Sequence, residues 1–268
     1  MTVVRRFVTD RWRTDCWWAL GIIVMVVLNL AFFPGIKGTA DLDQTVANLP
    51  PALKAMFGIE EGISIGSAAG YLQAQVFSSV APIILLVLAI ALGSGALGGA
   101  EEDGATEFLL SYPIKRTNLV IDRFVAMMGV LVLHTLILLA AVFVFCPMFG
   151  ALDGVDLPGL VAACIGCGAL AMLHASIAFT AGAWFGRRTP ATAIASAIAA
   201  GGYVLLGLFS AIDAPEPVRY LTPWYWFLKT NLLISGADWM AFVPALALSV
   251  LIGAAAIPIF ANRDIRGK

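Results

Sequence analysis

Six long apolar segments recur along the chain, and the charged residues lie in the stretches between them. The apolar segments lie near residues 17–34, 73–98, 124–149, 158–184, 191–212 and 241–261. An α-helix needs about 20 mostly apolar residues to cross the hydrocarbon core of a bilayer. Every Asp, Glu and Lys falls outside these segments, as expected when a charge at mid-bilayer costs roughly 2.5–3.5 kcal/mol. The pattern predicts an all-α polytopic membrane protein in which residues 1–268 form one domain with six transmembrane helices.

The segment before the first apolar stretch carries an apolar stripe with a helical period. Val4, Val8 and Trp12 recur every four residues, and Phe7 lies beside them, whereas most of the charged residues fall on other sides of the helix. We expect an amphipathic helix over residues 1–16 on the membrane surface, with Val4, Phe7, Val8, Arg11 and Trp12 at the interface. A basic flank that only orients the first span would explain the arginines but not the stripe.

Composition supports the membrane assignment and excludes a water-soluble protein. Hydrophobic residues make up 60% of the chain and charged residues 12%, whereas soluble proteins contain about 25% charged residues. The net charge of −1 shows no bias toward nucleic acid. Twelve Lys and Arg residues fall on one side of the predicted membrane, and the other side has four, namely Lys37, Lys54, Arg219 and Lys229. The positive-inside rule then places both termini in the cytoplasm, in a multi-pass protein of the cell (plasma or inner) membrane.

Motifs for nucleotide binding or catalysis are missing or weak. No Gly-Lys-Ser/Thr sequence occurs, so the chain has no P-loop. Gly93-Ser-Gly95-Ala-Leu-Gly98 matches the dinucleotide fingerprint G-x-G-x-x-G, but an apolar span precedes it instead of a strand. Cys164 and Cys167 have C-x-x-C spacing without a second pair of ligands. We interpret both motifs as helix-packing residues, and we expect no catalytic residue, no metal site and no cofactor in this chain.

Two histidines, His134 and His174, are the only residues among Asp, Glu, Lys, Arg and His that lie well inside the apolar segments. An ionisable group at membrane depth suggests a place on a transport pathway. A neutral imidazole also forms hydrogen bonds between helices, and no carboxylate lies in the spans to complete a proton relay. A structural role is therefore favoured, and a pathway role stays open as the alternative.

The fourth apolar segment is rich in small residues that allow helices to approach closely. They are Ala162, Gly166, Gly168, Ala171, Ala175, Ala178 and Gly182. Without a hydrophobic driving force in lipid, helices associate through such close contacts. This helix is expected in the middle of the bundle or at a subunit interface.

The stretch over residues 100–118, between the second and third apolar segments, departs from the plain polar pattern of the other loops. Glu101 and Glu102 open it, which suits a helix N-terminus, and Pro113 closes it. Between them, Phe108-Leu109-Leu110 would form a short apolar face in water. Such a face favours docking of a protein partner. A helix that merely lies on an anionic membrane surface would carry basic residues instead of these acids.

The same loop resembles the cytoplasmic signature of type-2 ABC exporter permeases, commonly E-E-x-x-G-T-x-E-x-L-L-S-x-P-x-x-R. The positions that the resemblance assigns to ATPase coupling are Glu101, Glu102, Gly104, Thr106, Glu107, Phe108, Leu109, Leu110, Pro113 and Arg116. Ala105 stands where the family often has Thr, and Phe108 where Leu is frequent. Tyr220-Leu-Thr-Pro-Trp-Tyr225 resembles the segment before the family's last span, and Phe260-Ala-Asn-Arg-Asp-Ile265 resembles its usual ending.

The resemblance implies a permease subunit that hydrolyses nothing itself. Two copies, or one copy with a related permease, would form the translocation path across the lipid bilayer. Separate ATPase subunits would bind ATP and Mg, and would contact both the N-terminal helix and the loop, whose helix is called the coupling helix. A stand-alone ion- or proton-coupled carrier is the alternative, and it would need buried ionisable or cation-binding groups. A non-transporting scaffold or an intramembrane enzyme is a third hypothesis.

The external segment over residues 213–240 would form short helices in such a permease. Its aromatic residues Trp224, Tyr225, Trp226 and Trp239 are expected at the outer membrane surface, because Trp and Tyr favour the membrane–water interface.

Overall fold

Six helices in the structure are long and apolar enough to cross a membrane. The computed structural model describes residues 2–38, 45–46, 48–57, 59, 64–111, 114–229 and 232–263, and no strand occurs among them. The six helices, numbered here as spans 1 to 6, are Trp12–Ile36, Ala68–Glu102, Arg116–Met148, Leu157–Phe185, Arg188–Ala211 and Trp239–Asn262. The predicted all-α polytopic fold is confirmed.

Several helices are longer than the apolar segments from which they were predicted. Span 3 begins at Arg116 rather than near residue 124, and span 2 ends at Glu102 rather than near residue 98. Apolar sequence marks only the part of a helix that faces hydrocarbon, whereas backbone hydrogen bonds continue the helix into the polar layer. The added turns of span 3 carry Asp122 and Arg123, which join the polar groups at that end of the bundle.

Spans 2 and 4 form the centre of the bundle, and spans 1, 5 and 6 lie around them. Buried residues make up 67% and 78% of the apolar windows of spans 2 and 4, against 28%, 22% and 28% in spans 1, 5 and 6. The small residues of span 4 account for its position. Gly182 lies against Gly98 of span 2, and Gly166 lies against the rings of Phe227 and Phe242. Of the two positions expected for this helix, the structure shows the middle of the bundle.

Span 2 is interrupted by two π-helical segments, Leu72–Val80 and Gly95–Gly99. A π-helix widens the helical turn and leaves carbonyl groups in need of other partners. In the second segment, the guanidinium of Arg123 donates a hydrogen bond from Nη1 to the carbonyl oxygen of Ala96. In the first, the Ser79 hydroxyl lies 2.7 Å from the carbonyl oxygen of Gln75. Side chains therefore stabilise both departures from α-helical geometry.

The two ends of the bundle differ in charge. At one end, Nζ of Lys37 lies 2.6 Å from Oδ2 of Asp153, which joins the segments after spans 1 and 3. At the other end lie the N-terminal helix Thr2–Thr9, the loop between spans 2 and 3, the junction of spans 4 and 5, and Arg263 after span 6. We call this the basic end, because it holds ten of the twelve basic residues assigned to one side, Arg266 and Lys268 lying outside the described residues.

The segment before span 6 contains the short helices Glu216–Arg219, Pro223–Leu228 and Leu232–Ser235. Trp239 is exposed, but Trp224 is buried, contrary to the expectation that it lies at the membrane surface. Its indole N–H donates a 3.0 Å hydrogen bond to the carbonyl oxygen of Ala199 in span 5. Because a buried indole N–H requires an acceptor, this contact explains why the ring is held inside rather than at the interface.

Candidate functional site

The loop at the basic end folds into a short helix, Ala105–Leu110, which we call the loop helix. Gly104 precedes it with a φ of +75°, a left-handed conformation that suits glycine because it has no Cβ. This turn ends span 2 and separates it from the loop helix. At the C-terminal end of the loop helix, the Ser111 hydroxyl donates a 2.7 Å hydrogen bond to the carbonyl oxygen of Phe108. Pro113, predicted to close the loop, lies outside the described residues.

The predicted apolar face of the loop helix is divided between surface and interior. Phe108 is 52% exposed, whereas Leu109 and Leu110 are half-buried and pack against the core of the bundle. Thr106 is fully buried, and Glu107 is exposed. The helix therefore faces inward with its threonine and leucines, and presents the Phe108 ring outward.

The N-terminal helix lies beside the loop helix. Its Phe7 packs against the core, and the guanidinium carbon of Arg6 lies 5.6 Å from the centroid of the Phe108 ring. A cation over an aromatic face at this distance is attracted by the ring's quadrupole. The two elements that the family resemblance assigns to ATPase contact are thus adjacent in the structure.

The residues predicted at the membrane interface divide into two groups. Val8 and Trp12 are exposed on the outside of the protein, while Val4, Phe7 and Arg11 are partly buried. Arg11 pairs with Asp15 at 3.5 Å, and its guanidinium carbon lies 5.6 Å from the centroid of the Phe7 ring. The outward pair is available to lipid, and Phe7 attaches the N-terminal helix to the bundle.

The acidic residues at the end of span 2 hold the loop to distant parts of the chain. Glu101 is buried and pairs with Arg263, after span 6. An Oε2 atom of Glu102 accepts a 3.1 Å hydrogen bond from the backbone N–H of Arg188 at the start of span 5. Arg116, which begins span 3, donates a 2.9 Å hydrogen bond to the carbonyl oxygen of Arg263. The loop is therefore connected to spans 3, 5 and 6.

The two histidines lie in spans 3 and 4, apart from the loop helix. Nδ1 of each ring lies 2.8 Å from the carbonyl oxygen four residues earlier, Val130 for His134 and Leu170 for His174. The Nε2 atom of His134 also lies 3.3 Å from the carbonyl oxygen of Asp15, which joins span 3 to the start of span 1. The Nε2 atom of His174 is buried and has no hydrogen-bond partner in the described part of the chain.

The glycine and cysteine motifs lie in helix-packing positions. A Cβ atom on Gly93 would come within 2.3 Å of the carbonyl oxygen of Ala175, and one on Gly98 within 2.7 Å of that of Arg187. Cys164 and Cys167 are both buried. Within the described ranges, no group of three or more His, Cys, Asp or Glu residues is arranged to hold a metal ion.

Sequence reasoning missed the roles of several arginines at the basic end. Arg6, Arg123, Arg188 and Arg263 contact the loop or the adjoining π-helical segment. In the sequence pattern, these residues served mainly to orient the spans. Their position at or near the ends of helices was the available signal, since such residues lie close to one another whenever the spans bundle.

Fold and geometry together define a multi-pass membrane protein with a polar network and a short helix at one end of its bundle. A scan against known protein families matches residues 1–265 to the ABC-2 family transporter proteins. Because the match spans nearly the whole chain, the protein belongs to this family and is a transmembrane permease of an ABC transporter. A comparison with curated proteins gave no match.

Proposed function

We propose that this permease is the membrane-spanning subunit of an ATP-driven exporter, and that it couples to a separate ATPase through residues 101–116. The ATPase binds ATP and Mg, and this chain hydrolyses nothing itself. The observation that carries the proposal is the loop helix, which presents the half-exposed ring of Phe108 at the basic end of the bundle. A large apolar side chain flanked by polar residues is the usual centre of a protein–protein contact.

The charges around Phe108 specify the kind of surface that would receive it. Glu102, Asp103 and Glu107 are exposed in the same loop, and Arg6 lies over the ring. A partner with an apolar pocket, and with basic residues facing the three acids, would complement this arrangement. We therefore expect the ATPase to offer Lys or Arg residues around the pocket that accepts Phe108.

The contacts of the loop provide a route by which movement of the ATPase reaches the spans. Leu109 and Leu110 pack against the core, Glu102 contacts span 5, and Glu101 contacts the end of span 6. A push on the loop helix would then shift several spans together. Such a shift between two packed states is how a bundle changes from inward-facing to outward-facing access.

A second copy of the chain, or a related permease, completes the proposed translocation path. Span 5 is the least buried of the six spans. Its outer side carries Ala193, Ala197 and Gly201 at four-residue spacing, and a Cβ atom on Gly201 would meet nothing within 4 Å. Small residues at this spacing support close helix pairing in a bilayer. In membranes, Ala197→Cys with Cys16→Ser should cross-link two copies, whereas Ile198→Cys in the same background, exposed at the same depth but about 100° around the helix, should not.

The proposed location is the cell membrane with both termini in the cytoplasm. The concentration of arginines at the basic end supports it, because basic loops remain on the cytoplasmic side during insertion. The loop helix would then face the compartment that contains ATP.

A test of the coupling proposal replaces Phe108 and measures binding of the ATPase. Phe108→Asp should weaken binding by about 30-fold, as expected when an interface anchor worth roughly 2 kcal/mol is lost. ATPase activity stimulated by the permease should fall in parallel. The leucines are poorer targets, because Leu109 and Leu110 pack against the core and their replacement would disturb folding.

The matched control is Leu53→Asp, which places the same charge on a similarly exposed apolar residue at the opposite end of the bundle. Both variants should unfold at about the wild-type temperature, since neither side chain is buried. Full ATPase binding and coupling by the Phe108→Asp protein would contradict the proposal.

A further inference from the structure

A cavity of about 620 Å³ lies at the basic end, between the N-terminal helix, the loop helix and the ends of spans 2, 3 and 5. Four arginines and two aspartates line it, together with Phe7 and Leu109 among the apolar residues. The charged residues are Arg6, Arg11, Arg123, Arg188, Asp10 and Asp103. Phe108 also lines the cavity, but its proposed docking on the ATPase does not account for the arginines there.

The positive charge of the cavity is only partly neutralised by the protein. Arg6 pairs with Asp10 and Arg11 pairs with Asp15, each at 3.5 Å. Within the described ranges, no carboxylate oxygen lies within 4 Å of the guanidinium nitrogens of Arg123 or Arg188. Two guanidinium groups in one cavity thus form no ion pair, and Asp103 is the one further carboxylate among the described lining residues.

Arg123 needs a counter-charge more than Arg188 does, because it is only 7% exposed. Its Nη1 atom donates to the carbonyl oxygen of Ala96, and its buried Nε atom has no partner in the described residues. A buried cation whose hydrogen-bonding capacity is unfilled is costly unless an anion accompanies it. The backbone carbonyl supplies a dipole but no negative charge.

Arg188 reaches the same cavity from span 5 across the glycines of the π-helical segment. A Cβ atom on Gly95 would lie 3.8 Å from its Nη2 atom, and one on Gly99 would lie 3.7 Å from its Cδ atom. Because glycine has no side chain, Gly95 and Gly99 leave space for the side chain of Arg188. The guanidinium groups of Arg123 and Arg188 therefore both line a cavity whose wall includes Gly95 and Gly99.

The depth of the cavity along the bundle indicates which kinds of anion can reach it. Arg188 is the first residue of span 5, Gly99 lies in the last turn of span 2, and Arg11 directly precedes span 1. Helix ends of this kind lie at the depth of lipid headgroups, and the exposed ring of Trp12 beside them favours the same depth. A phosphodiester offers oxygens that match the paired N–H groups of a guanidinium.

We propose that this cavity binds the phosphate group of an anionic phospholipid from the leaflet at the basic end. The phosphate accepts hydrogen bonds from Arg123 and Arg188, and the apolar residues Phe7 and Leu109 contact the adjoining glycerol and acyl carbons. The lipid then fills the space between the N-terminal helix and the loop helix. The inference concerns the permease alone and holds whether or not the loop helix docks on an ATPase.

The experiment is native mass spectrometry of the purified, delipidated full-length permease. The protein is incubated with phosphatidylglycerol, with phosphatidylcholine or with inorganic phosphate. One phosphatidylglycerol molecule should be retained and phosphatidylcholine should not. Arg188→Gln should lower this retention by about tenfold, the effect of losing charge-assisted hydrogen bonds. Arg188→Lys should retain an intermediate amount, because it keeps the charge without the paired donors.

Arg187→Gln is the matched control, because Arg187 is the exposed neighbour of Arg188 and does not line the cavity. Its lipid retention should equal that of the wild type. Arg188 is exposed, so Arg188→Gln tests the site without removing a buried group, and thermal unfolding verifies its fold. Equal losses in the two variants, or equal retention of both lipids, would overturn the proposal.

Two further results would assign the cavity to a different ligand and so overturn the lipid proposal. One is binding of inorganic phosphate with no retention of phosphatidylglycerol. The other is loss of ATPase binding in Arg188→Gln while lipid retention stays at the wild-type level. The second result would mean that an acidic side chain of the ATPase occupies the cavity.

Discussion

The guanidinium of Arg263, just after span 6, pairs with the carboxylate of Glu101 in the last turn of span 2. The two residues are 162 positions apart in the chain, and the Glu101 side chain is only 4% exposed. Arg116 donates a hydrogen bond to the carbonyl oxygen of Arg263, so the beginning of span 3 joins the same contact. A single buried ion pair thus fastens together the ends of three spans beside the loop helix.

Glu101→Gln should destabilise the permease by about 3 kcal/mol, because removal of one partner leaves the other as an uncompensated, largely buried charge. The measurement is the free energy of unfolding of the purified protein in a fixed detergent. Coupling to the ATPase should also weaken, since the loop would lose its link to span 6.

Glu107→Gln is the control for this change, because Glu107 is an exposed acid of the loop helix. Its effect should stay within about 0.5 kcal/mol, as for most surface substitutions. The charge-reversed pair Glu101→Arg with Arg263→Glu should recover part of the lost stability. Equal stability of the Glu101→Gln protein and the wild type would show that the pair contributes nothing.

Gly93→Ala should destabilise the bundle by about 1–3 kcal/mol, the usual cost of overpacking. The new methyl group would lie 2.3 Å from the carbonyl oxygen of Ala175, so spans 2 and 4 would have to separate. Gly129→Ala is the matched control in span 3, because a Cβ atom there meets nothing within 4 Å. That variant should be as stable as the wild type or gain up to about 1 kcal/mol from helix propensity. Similar effects at both glycines would contradict the packing explanation.

His174→Leu should leave transport intact and change the free energy of unfolding by no more than about 1 kcal/mol. The imidazole is fully buried, and its Nε2 atom has no partner in the described residues, so an apolar side chain of similar size removes an unsatisfied polar atom. Transport in proteoliposomes with the ATPase is the measurement. Loss of transport with unchanged stability would place His174 on the pathway.

His134→Leu should behave differently, because both ring nitrogens of His134 lie near carbonyl oxygens. Loss of these contacts should cost about 1–2 kcal/mol and loosen span 1 from span 3. The sequence pattern does not distinguish the two histidines, but the free energies of unfolding of the two variants should.

Cysteine labelling tests the orientation of the protein in the membrane. With Cys16 replaced by Ser, Asp153→Cys should react with a membrane-impermeant maleimide added to intact cells, because Asp153 is exposed at the end opposite the basic end. Ser111→Cys, exposed beside the loop helix, should react only after the cells are opened. The reverse pattern would invert the proposed topology and place the loop helix outside the cell.

In the loop between spans 2 and 3, the sequence pattern did not predict which side chains are buried. Glu101 and Glu102 are adjacent and chemically alike, yet one is buried in an ion pair and the other is exposed. Likewise, Phe108 faces outward while Leu109 and Leu110 pack inward. A hydrophobic pattern predicts that a segment has an apolar face, but the direction of that face depends on the helices that pack beside it.

The spans themselves were predictable from the chain alone, because the bilayer imposes a length and an apolarity that each helix must meet by itself. The sequence alone thus determined six spans and marked the unusual loop between the second and third. Tertiary structure alone decided the burial of Trp224, the Glu101–Arg263 pair and the convergence of Arg123 and Arg188 on one cavity. These features join residues far apart in the chain, and only the packing of the helices brings them within contact distance.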